Sequence, residues 1–227
     1  DQAGGLAGGS RQGRQGEREG HRCRSRNRPG AIPFEMRLAC DLEKARTPET
    51  FLVSVIYGHN EIGTIEDISK IGTILQSKKI LFHTDAVQAA NFLDCNVDTL
   101  RADLLTLSGH KIYGPKGVGV LYRREGVGVL PLLEGGGQEM GLRSGTENVA
   151  AIVGMGEAVE GLENPRMMVT NITIRQLRDK LIKAVLRKVP NSELSGSQDM
   201  RLANNAHFRF QGVEGWDIVI ALDQKGI

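Results

Sequence analysis

Ser108-Gly-His-Lys-Ile-Tyr-Gly-Pro-Lys-Gly117 is the stretch of sequence that decides the fold. It lies between two short apolar runs, residues 103–107 and 118–122, whose composition is typical of β-strands. Its glycines allow the backbone to turn tightly between the two strands. Because Lys111 lies in this turn between strands, we interpret it as a chemically reactive residue rather than as ordinary surface charge.

Strands and helices alternate upstream of this turn. Residues 51–56 form a continuous apolar and β-branched run, typical of a buried parallel strand. Asp67 opens an amphipathic helix that two lysines close, and residues 80–82 form the next strand. This repetition predicts an α/β fold with a mostly parallel sheet covered by helices. Further helices are predicted over residues 146–162, 166–188 and 214–223, and a further strand over residues 204–210.

The composition divides the chain into three parts. Residues 1–41 are predicted to be a disordered leader, because the first 30 residues hold eight glycines and seven arginines with almost no apolar side chains. Residues 42–163 are predicted to form an incomplete large α/β domain, and residues 164–227 the start of a small C-terminal α/β domain. The leader could be a nucleic-acid-binding arm or non-native sequence, and the lack of interleaved aromatic residues favours the second interpretation.

Composition and motifs exclude several classes of protein. No apolar run approaches the roughly 20 residues of a membrane span, and the N-terminus lacks the apolar core of a secretory signal. Cys23, Cys40 and Cys95 are isolated, which argues against a disulfide framework or a zinc site. Neither a phosphate-binding P-loop nor an HExxH motif occurs, so no metal ligand is predicted. We expect a cytoplasmic protein without membrane partners.

The polar residues near the strand ends suit pyridoxal phosphate. Lys111 is placed to form a Schiff base with the cofactor aldehyde. Asp85, after the strand of residues 80–82, could keep the pyridine nitrogen protonated, which makes the ring an electron sink. Gln88 could donate to the ring oxygen, and Ser108 and His110 are hydroxyl and imidazole donors suited to the phosphate.

Each of these residues also has a structural interpretation. Asp85 could cap a helix over residues 86–90, His110 could be a hydrogen-bonded turn histidine, and Lys111 alone could be a surface lysine. These alternatives weaken when the aspartate and the lysine are considered together at the ends of two strands. Arg143-Ser-Gly-Thr146, just ahead of a helix, could also bind an anion.

Four motifs together resemble the NifS/IscS-type cysteine desulfurases of the class V aminotransferase family. They occur in the order and spacing of that family, and the resemblance covers about residues 42–227. The motifs are Asn60-Glu-Ile-Gly, His83-Thr-Asp-Ala-Val-Gln88, Ser108-Gly-His-Lys-Ile-Tyr-Gly-Pro-Lys-Gly117 and Gly135-Gly-Gly-Gln-Glu139 followed by Arg143-Ser-Gly-Thr-Glu-Asn148.

The resemblance implies a fold-type I pyridoxal phosphate enzyme that removes sulfur from L-cysteine and leaves alanine. The sulfur would pass, as a persulfide, to a partner in iron–sulfur cluster assembly or tRNA thiolation. The family's site requires a homodimer, because Thr146 would reach the phosphate of the neighbouring subunit's cofactor. The implied catalytic residues are Lys111 and His110. The implied cofactor contacts are Asn60, Asp85, Gln88, Ser108, His110, Lys111 and Thr146.

The sequence also departs from the family pattern. Family members carry an upstream phosphate-binding loop with a ring-stacking histidine, and a downstream loop with the persulfide-forming cysteine and a substrate-binding arginine; neither is found here. Cys95 does not match that cysteine, and His59 stands where the family usually has asparagine. The chain is therefore expected to be a fragment. Alternatives are a selenocysteine lyase or other class V member, and an inactive pyridoxal-phosphate-binding or dimerisation fragment; nucleic-acid binding is the least favoured.

Overall fold

A central four-stranded sheet organises the part of the chain that the computed structural model describes, residues 41–42 and 44–227. Its strands are β1 (Leu52–Ile56), β2 (Leu81–Asp85), β3 (Leu104–Ser108) and β4 (Gly119–Arg123), in the order β1-β2-β3-β4. The first three strands are parallel, and β4 is antiparallel to β3. The prediction of a mostly parallel α/β sheet is therefore confirmed. The leader predicted over residues 1–41 lies, except for Asp41, outside the described residues.

One face of this sheet is covered by helix α1 (Ile68–Ser77). The helix begins where predicted, because the Asp67 side chain accepts a hydrogen bond from the Lys70 amide at 3.1 Å and so caps the first turn. A short helix, α2 (Val97–Leu100), precedes β3. The side chains that fill the interface are almost completely buried, and they fix the strands that carry the polar residues. They are Ile68, Ile71, Leu75, Phe82, Leu100 and Leu105.

The second half of the described chain is mainly helical. Helix α3 (Val149–Leu162) is followed by α4 (Pro165–Lys188), whose N-cap Asn164 and first-turn proline explain the break between the two helices. Strands β5 (Ser192–Leu194) and β6 (Phe208–Phe210) form a separate antiparallel pair. Helix α5 (Gly215–Asp223) follows. The domain boundary predicted at residue 164 stays a prediction.

Several predicted boundaries were wrong. Strand β2 was predicted to end at residue 82, but parallel pairing with both neighbouring strands continues to Asp85. The helix considered over residues 86–90 is a series of hydrogen-bonded turns. Strand β6 begins at Phe208 rather than at residue 204, and β5 was not predicted. Among the described residues, no helix has both the length and the apolar character needed to cross a membrane.

Candidate active site

The predicted site residues follow the C-terminal ends of the three parallel strands. Ile56 pairs with Asp85, and Asp85 pairs with Thr106, so β1 and β2 end side by side and β3 continues beyond them to Ser108. The Tyr57 amide donates to the Asp85 carbonyl at 2.8 Å, which carries the pairing into the loop after β1. Loops at this edge of a parallel sheet are the usual location of ligand sites.

The turn between β3 and β4 is rigid at its first residues. Gly109 is buried, and its amide donates to the Val118 carbonyl at 3.0 Å. A Cβ atom at Gly109 would lie 2.8 Å from Val118 Cγ1 and 2.9 Å from the Pro115 carbonyl oxygen, so only glycine fits. Ile112 is 1% exposed and anchors the turn in the interior. Lys111, between these two anchors, is exposed.

Two asparagines that the sequence analysis missed hold the backbone of Lys111. The side-chain amide of Asn91 donates to the Lys111 carbonyl. Asn171 in α4 donates through Nδ2 to the Asn91 carbonyl at 2.6 Å. The turn that carries Lys111 is therefore connected through Asn91 to a residue of α4 that lies 80 residues further along the chain. Neither asparagine lies in a motif, so no local pattern indicates this connection.

Ser108 and His110 lie together at the start of the same turn. Ser108 Oγ is 2.9 Å from His110 Nδ1, so one of these groups donates to the other. His110 is exposed, and Ser108, the last residue of β3, is half-buried. The hydroxyl and the imidazole thus present hydrogen-bonding atoms next to Lys111. This contact agrees with the interpretation of His110 as a histidine that is hydrogen-bonded within the turn. The contact uses Nδ1, so Nε2 is the ring nitrogen that could bind a ligand.

Asp85, half-buried at the end of β2, has a structural role as well as a candidate chemical one. Its Oδ1 accepts a hydrogen bond from the Val87 amide at 3.0 Å, which caps the turns that carry Gln88. The interpretation of Asp85 as a helix cap is therefore wrong in its helix, although Oδ1 does cap a turn. In the described part of the chain no hydrogen bond reaches Oδ2, which makes the second oxygen the candidate for a ligand contact.

Asp85 has a basic neighbour on the same side of the sheet, His83. Its Nδ1 lies 2.7 Å from Ser54 Oγ on the adjacent strand β1. Burial lowers the pKa of His83, and the charge of Asp85 opposes that shift only partly. A neutral imidazole is therefore favoured beside the carboxylate. His83 lies within the motif of residues 83–88, but its residue type alone does not indicate this pairing with Ser54.

Asn60 lies exposed in the loop after β1, residues 57–65. His59, where the family usually has asparagine, accepts hydrogen bonds at Nδ1 from the amides of Glu61 and Ile62, at 3.2 and 3.4 Å. The histidine thereby closes the loop around Asn60. Like an asparagine, the histidine at this position has a side-chain atom that accepts hydrogen bonds from the loop backbone.

Thr146 is not joined to this cluster. It follows a folded segment in which Ser144 Oγ donates to the Gly136 carbonyl at 3.0 Å and Gln138 Oε1 accepts from the Gly145 amide at 3.2 Å. Thr146 is exposed, and within the described residues no hydrogen bond connects it with Ser108, His110 or Lys111.

Cys95 is not a suitable nucleophile. It is half-buried against the core, with Sγ 3.7 Å from the Leu93 carbonyl. Burial, with a smaller contribution from Asp94, raises its pKa to about 12. The thiol is therefore protonated at neutral pH, in agreement with the prediction that Cys95 is not the persulfide-forming cysteine. Cys23 and Cys40 lie outside the described residues.

The donor set at this edge fits pyridoxal phosphate. An exposed lysine amine can bind the aldehyde, a carboxylate oxygen is available for the pyridinium, and hydroxyl and imidazole groups suit the phosphate. A mostly parallel sheet with such a donor set at its edge is the arrangement of pyridoxal-phosphate-dependent enzymes of fold type I. Residues 34–227 match the profile of the family described as aminotransferase class-V, and the chain belongs to that family.

Relatives within the family carry a more specific name. The chain is 48% identical over 190 residues to cysteine desulfurase IscS of Clostridium botulinum, an alignment that covers 82% of this chain and 47% of the relative. It is 46% identical over 187 residues to cysteine desulfurase IscS of Dictyoglomus turgidum, with the same two coverages. The resemblance stated from the motifs is therefore confirmed. The chain spans about half the length of the curated relatives it matches.

Solved structures give the same result for the fold. A NifS-like protein superimposes with a TM-score of 0.76 at 35% identity, over 82% of this chain and 51% of that chain. The NifS-like protein of Rickettsia africae superimposes with a TM-score of 0.70 at 32% identity, over 81% of this chain and 51% of that chain. Pyridoxal phosphate is the cofactor of this family.

Proposed function

We propose that this chain belongs to a cysteine desulfurase that removes sulfur from L-cysteine and leaves L-alanine. The observation that carries the proposal is the position of Asp85 at the end of β2 and of Lys111 just after the adjacent parallel strand β3, in a chain similar to enzymes of that name. The amine and the carboxylate are the two groups that pyridoxal phosphate chemistry requires of its protein.

Lys111 would hold the cofactor covalently, and its exposed amine would also carry protons to and from the substrate. Asp85 Oδ2 would accept a hydrogen bond from the ring nitrogen while Oδ1 stays bound to Val87. When bound, pyridoxal phosphate supplies an electron sink next to the substrate α-carbon. Gln88 and Asn60 would donate to the ring oxygen and so orient the ring over the sheet edge.

Ser108 and His110 would bind the phosphate, because their donors lie beside the lysine in one rigid turn. His110 could also exchange a proton with the substrate, since its imidazole is exposed. We further propose that Thr146 contacts the phosphate in a second copy of the chain. The support for this homodimer is that Thr146 is exposed and, within the described residues, makes no hydrogen bond to the cluster of its own chain.

The reaction transfers one sulfur atom. The bond between Cβ and sulfur of L-cysteine breaks, the sulfur joins a protein thiol as a persulfide, and a proton reaches Cβ to give alanine. The pKa of Cys95 argues against that residue as the receiving thiol. We propose that the persulfide sulfur passes to an iron–sulfur scaffold or a tRNA-thiolation partner in the cytoplasm, where thiols stay reduced.

We also propose that residues 42–163 are the cofactor-binding domain and residues 164–227 a smaller second domain. The support is that β5 and β6 form a sheet of their own, apart from the sheet that carries the candidate site.

The cofactor assignment is tested by the visible absorbance of purified protein with added pyridoxal phosphate. The wild type should show the band of lysine-bound cofactor, and Lys111→Ala should lose it. Lys116→Ala is the matched control, because Lys116 is an exposed lysine of the same turn. Borohydride reduction followed by peptide mapping should place the label on Lys111. A label on Lys116, or an unchanged band in Lys111→Ala, would refute the assignment.

The reaction is tested by measuring alanine and persulfide after addition of L-cysteine, with L-selenocysteine in parallel. Alanine from cysteine supports the desulfurase. Alanine from selenocysteine alone supports a selenocysteine lyase. Cofactor binding without alanine from either substrate supports the alternative of an inactive binding chain.

A further inference from the structure

We propose that Arg201 is a positioning residue that fixes the loop of residues 57–65 and thereby places Asn60 against the cofactor. This inference rests on the proposed function, because it takes Asn60 as a cofactor contact. It assigns a role to a residue outside every motif of the sequence analysis. Arg201 and Ile62 are 139 residues apart in the sequence, yet the Arg201 side chain donates a hydrogen bond to the Ile62 carbonyl. The backbone of Arg201 also forms an antiparallel bridge with Thr64 of the same loop.

The guanidinium of Arg201 is completely buried, with 0% of the residue exposed. Nε donates to the Ser197 carbonyl at 2.8 Å, and Nη2 donates to the Ser195 carbonyl. Nη1 donates to the Ile62 carbonyl at 2.9 Å and to Asn205 Oδ1 at 2.7 Å. All of these partners are uncharged. Among the described residues no carboxylate forms an ion pair with Arg201, and a buried cation without such a partner is costly, so we expect this residue to serve a purpose beyond stability.

The contact with Ile62 is reinforced on both sides. Asn205, itself bound by Arg201, donates through Nδ2 to the Glu61 carbonyl at 2.7 Å. The Leu202 amide donates to the Gly63 carbonyl at 2.8 Å. Three consecutive carbonyls of the loop, from Glu61 to Gly63, are therefore held by residues 201–205. Asn60 directly precedes these three residues, so the position of Asn60 depends on how they are held.

The backbone at Gly196 lies close to the loop of residues 57–65. Gly196 has a positive φ of 77°, and a Cβ there would lie 2.6 Å from Thr64 Oγ1 and 2.7 Å from the Ile62 carbonyl oxygen. The Ser197 amide donates to Thr64 Oγ1 at 3.1 Å. The planar guanidinium reaches four acceptors from one side chain, which a lysine ammonium cannot do in this geometry.

Arg178 provides a matched control. It is also a buried arginine, and its Nη1 donates to the carbonyls of Arg201 and Leu202 at 2.9 and 2.8 Å. Its remaining hydrogen bonds go to Asp179. Arg178→Met therefore removes a buried guanidinium from the same region without removing a donor to the loop.

The test is a double-mutant cycle on the affinity for pyridoxal phosphate, measured by absorbance titration. Arg201→Met and Asn60→Ala should each weaken binding by about tenfold, the equivalent of one well-placed hydrogen bond. The double variant should bind no more weakly than Asn60→Ala, because Arg201 acts through Asn60. Any change in affinity that Arg178→Met causes should be the same in the wild type and in the Asn60→Ala variant, because Arg178 donates no hydrogen bond to the loop.

Hydrogen exchange of the cofactor-free protein gives an independent readout. The Gly63 amide, which donates to the His59 carbonyl at 3.0 Å, should exchange about tenfold faster in Arg201→Met than in Arg178→Met. Full additivity in the cycle, or unchanged exchange in Arg201→Met, would overturn the positioning role and leave the proposed function intact. A wild type that binds no pyridoxal phosphate would refute the proposed function and this role with it.

Discussion

Asn91 holds Lys111 by its backbone, because the Asn91 side-chain amide donates to the Lys111 carbonyl. Asn91 is in turn held by Asn171 in α4. The backbone of Lys111, the residue that would bind the cofactor covalently, is thus held by hydrogen bonds, while the residue itself stays exposed. This arrangement separates the orientation of the lysine backbone from the chemistry of its side chain.

We predict that Asn91→Ala weakens pyridoxal phosphate binding several-fold and lowers the free energy of unfolding by about 1 kcal/mol, since the hydrogen bond from the Asn91 side chain to the Lys111 carbonyl is lost. Absorbance titration and urea unfolding measure the two effects. Asn96→Ala is the control, because Asn96 caps α2 by accepting from the amides of Asp98 and Thr99. The control should lose similar stability and keep its cofactor affinity. Equal affinity losses in both variants would contradict the role of Asn91.

The lowered pKa of His83 predicts a pH dependence of stability. The ordinary histidine pKa is about 6.5, so the unfolded chain binds a proton below that pH more readily than the folded chain. The contribution of His83 to the free energy of unfolding should therefore be complete above pH 6.5 and decline as the pH falls further. His83→Gln should abolish this component in urea unfolding at several pH values. An imidazole that titrates at or above 6.5 by NMR would refute the prediction.

Cys95 should resist alkylation in the folded protein. With a pKa of about 12, only about one thiol in ten thousand is ionised at pH 8. Iodoacetamide labelling followed by peptide mass spectrometry should therefore find Cys95 modified far more slowly in buffer than in urea. Similar rates in the two conditions would show an accessible thiolate. In that case Cys95 would have to be reconsidered as a sulfur acceptor.

The strands and the polar residues after them could be predicted because their signals are local. An apolar run, a cap at Asp67 and a glycine-rich turn around Lys111 each need only a few neighbouring residues to be recognised. The end of β2 was misjudged because parallel pairing, not hydrophobicity, extends that strand to Asp85. The roles of the site residues stay predictions, supported by their common position.

The supports of the site could not be predicted, because they join distant parts of the chain. Arg201 has no partner within the loop it holds until the fold brings Ile62 beside it. Asn91 and Asn171 are 80 residues apart, and neither follows a periodic pattern. Such contacts are set by the packing of α4 and the 195–205 segment, which hydrophobic periodicity alone does not specify.

The sequence distance between Arg201 and Ile62 also sets an order of folding events. Their contact spans 139 residues, so the chain must close a long loop before this hydrogen bond forms. The pairing of β1, β2 and β3 needs no residue beyond Ser108 and can form earlier during synthesis. We therefore expect the strand ends that carry Asp85 and Ser108 to form first. The loop with Asn60 should gain its hydrogen bonds from residues 201–205 only after those residues have left the ribosome, so this part of the candidate site should form late in synthesis.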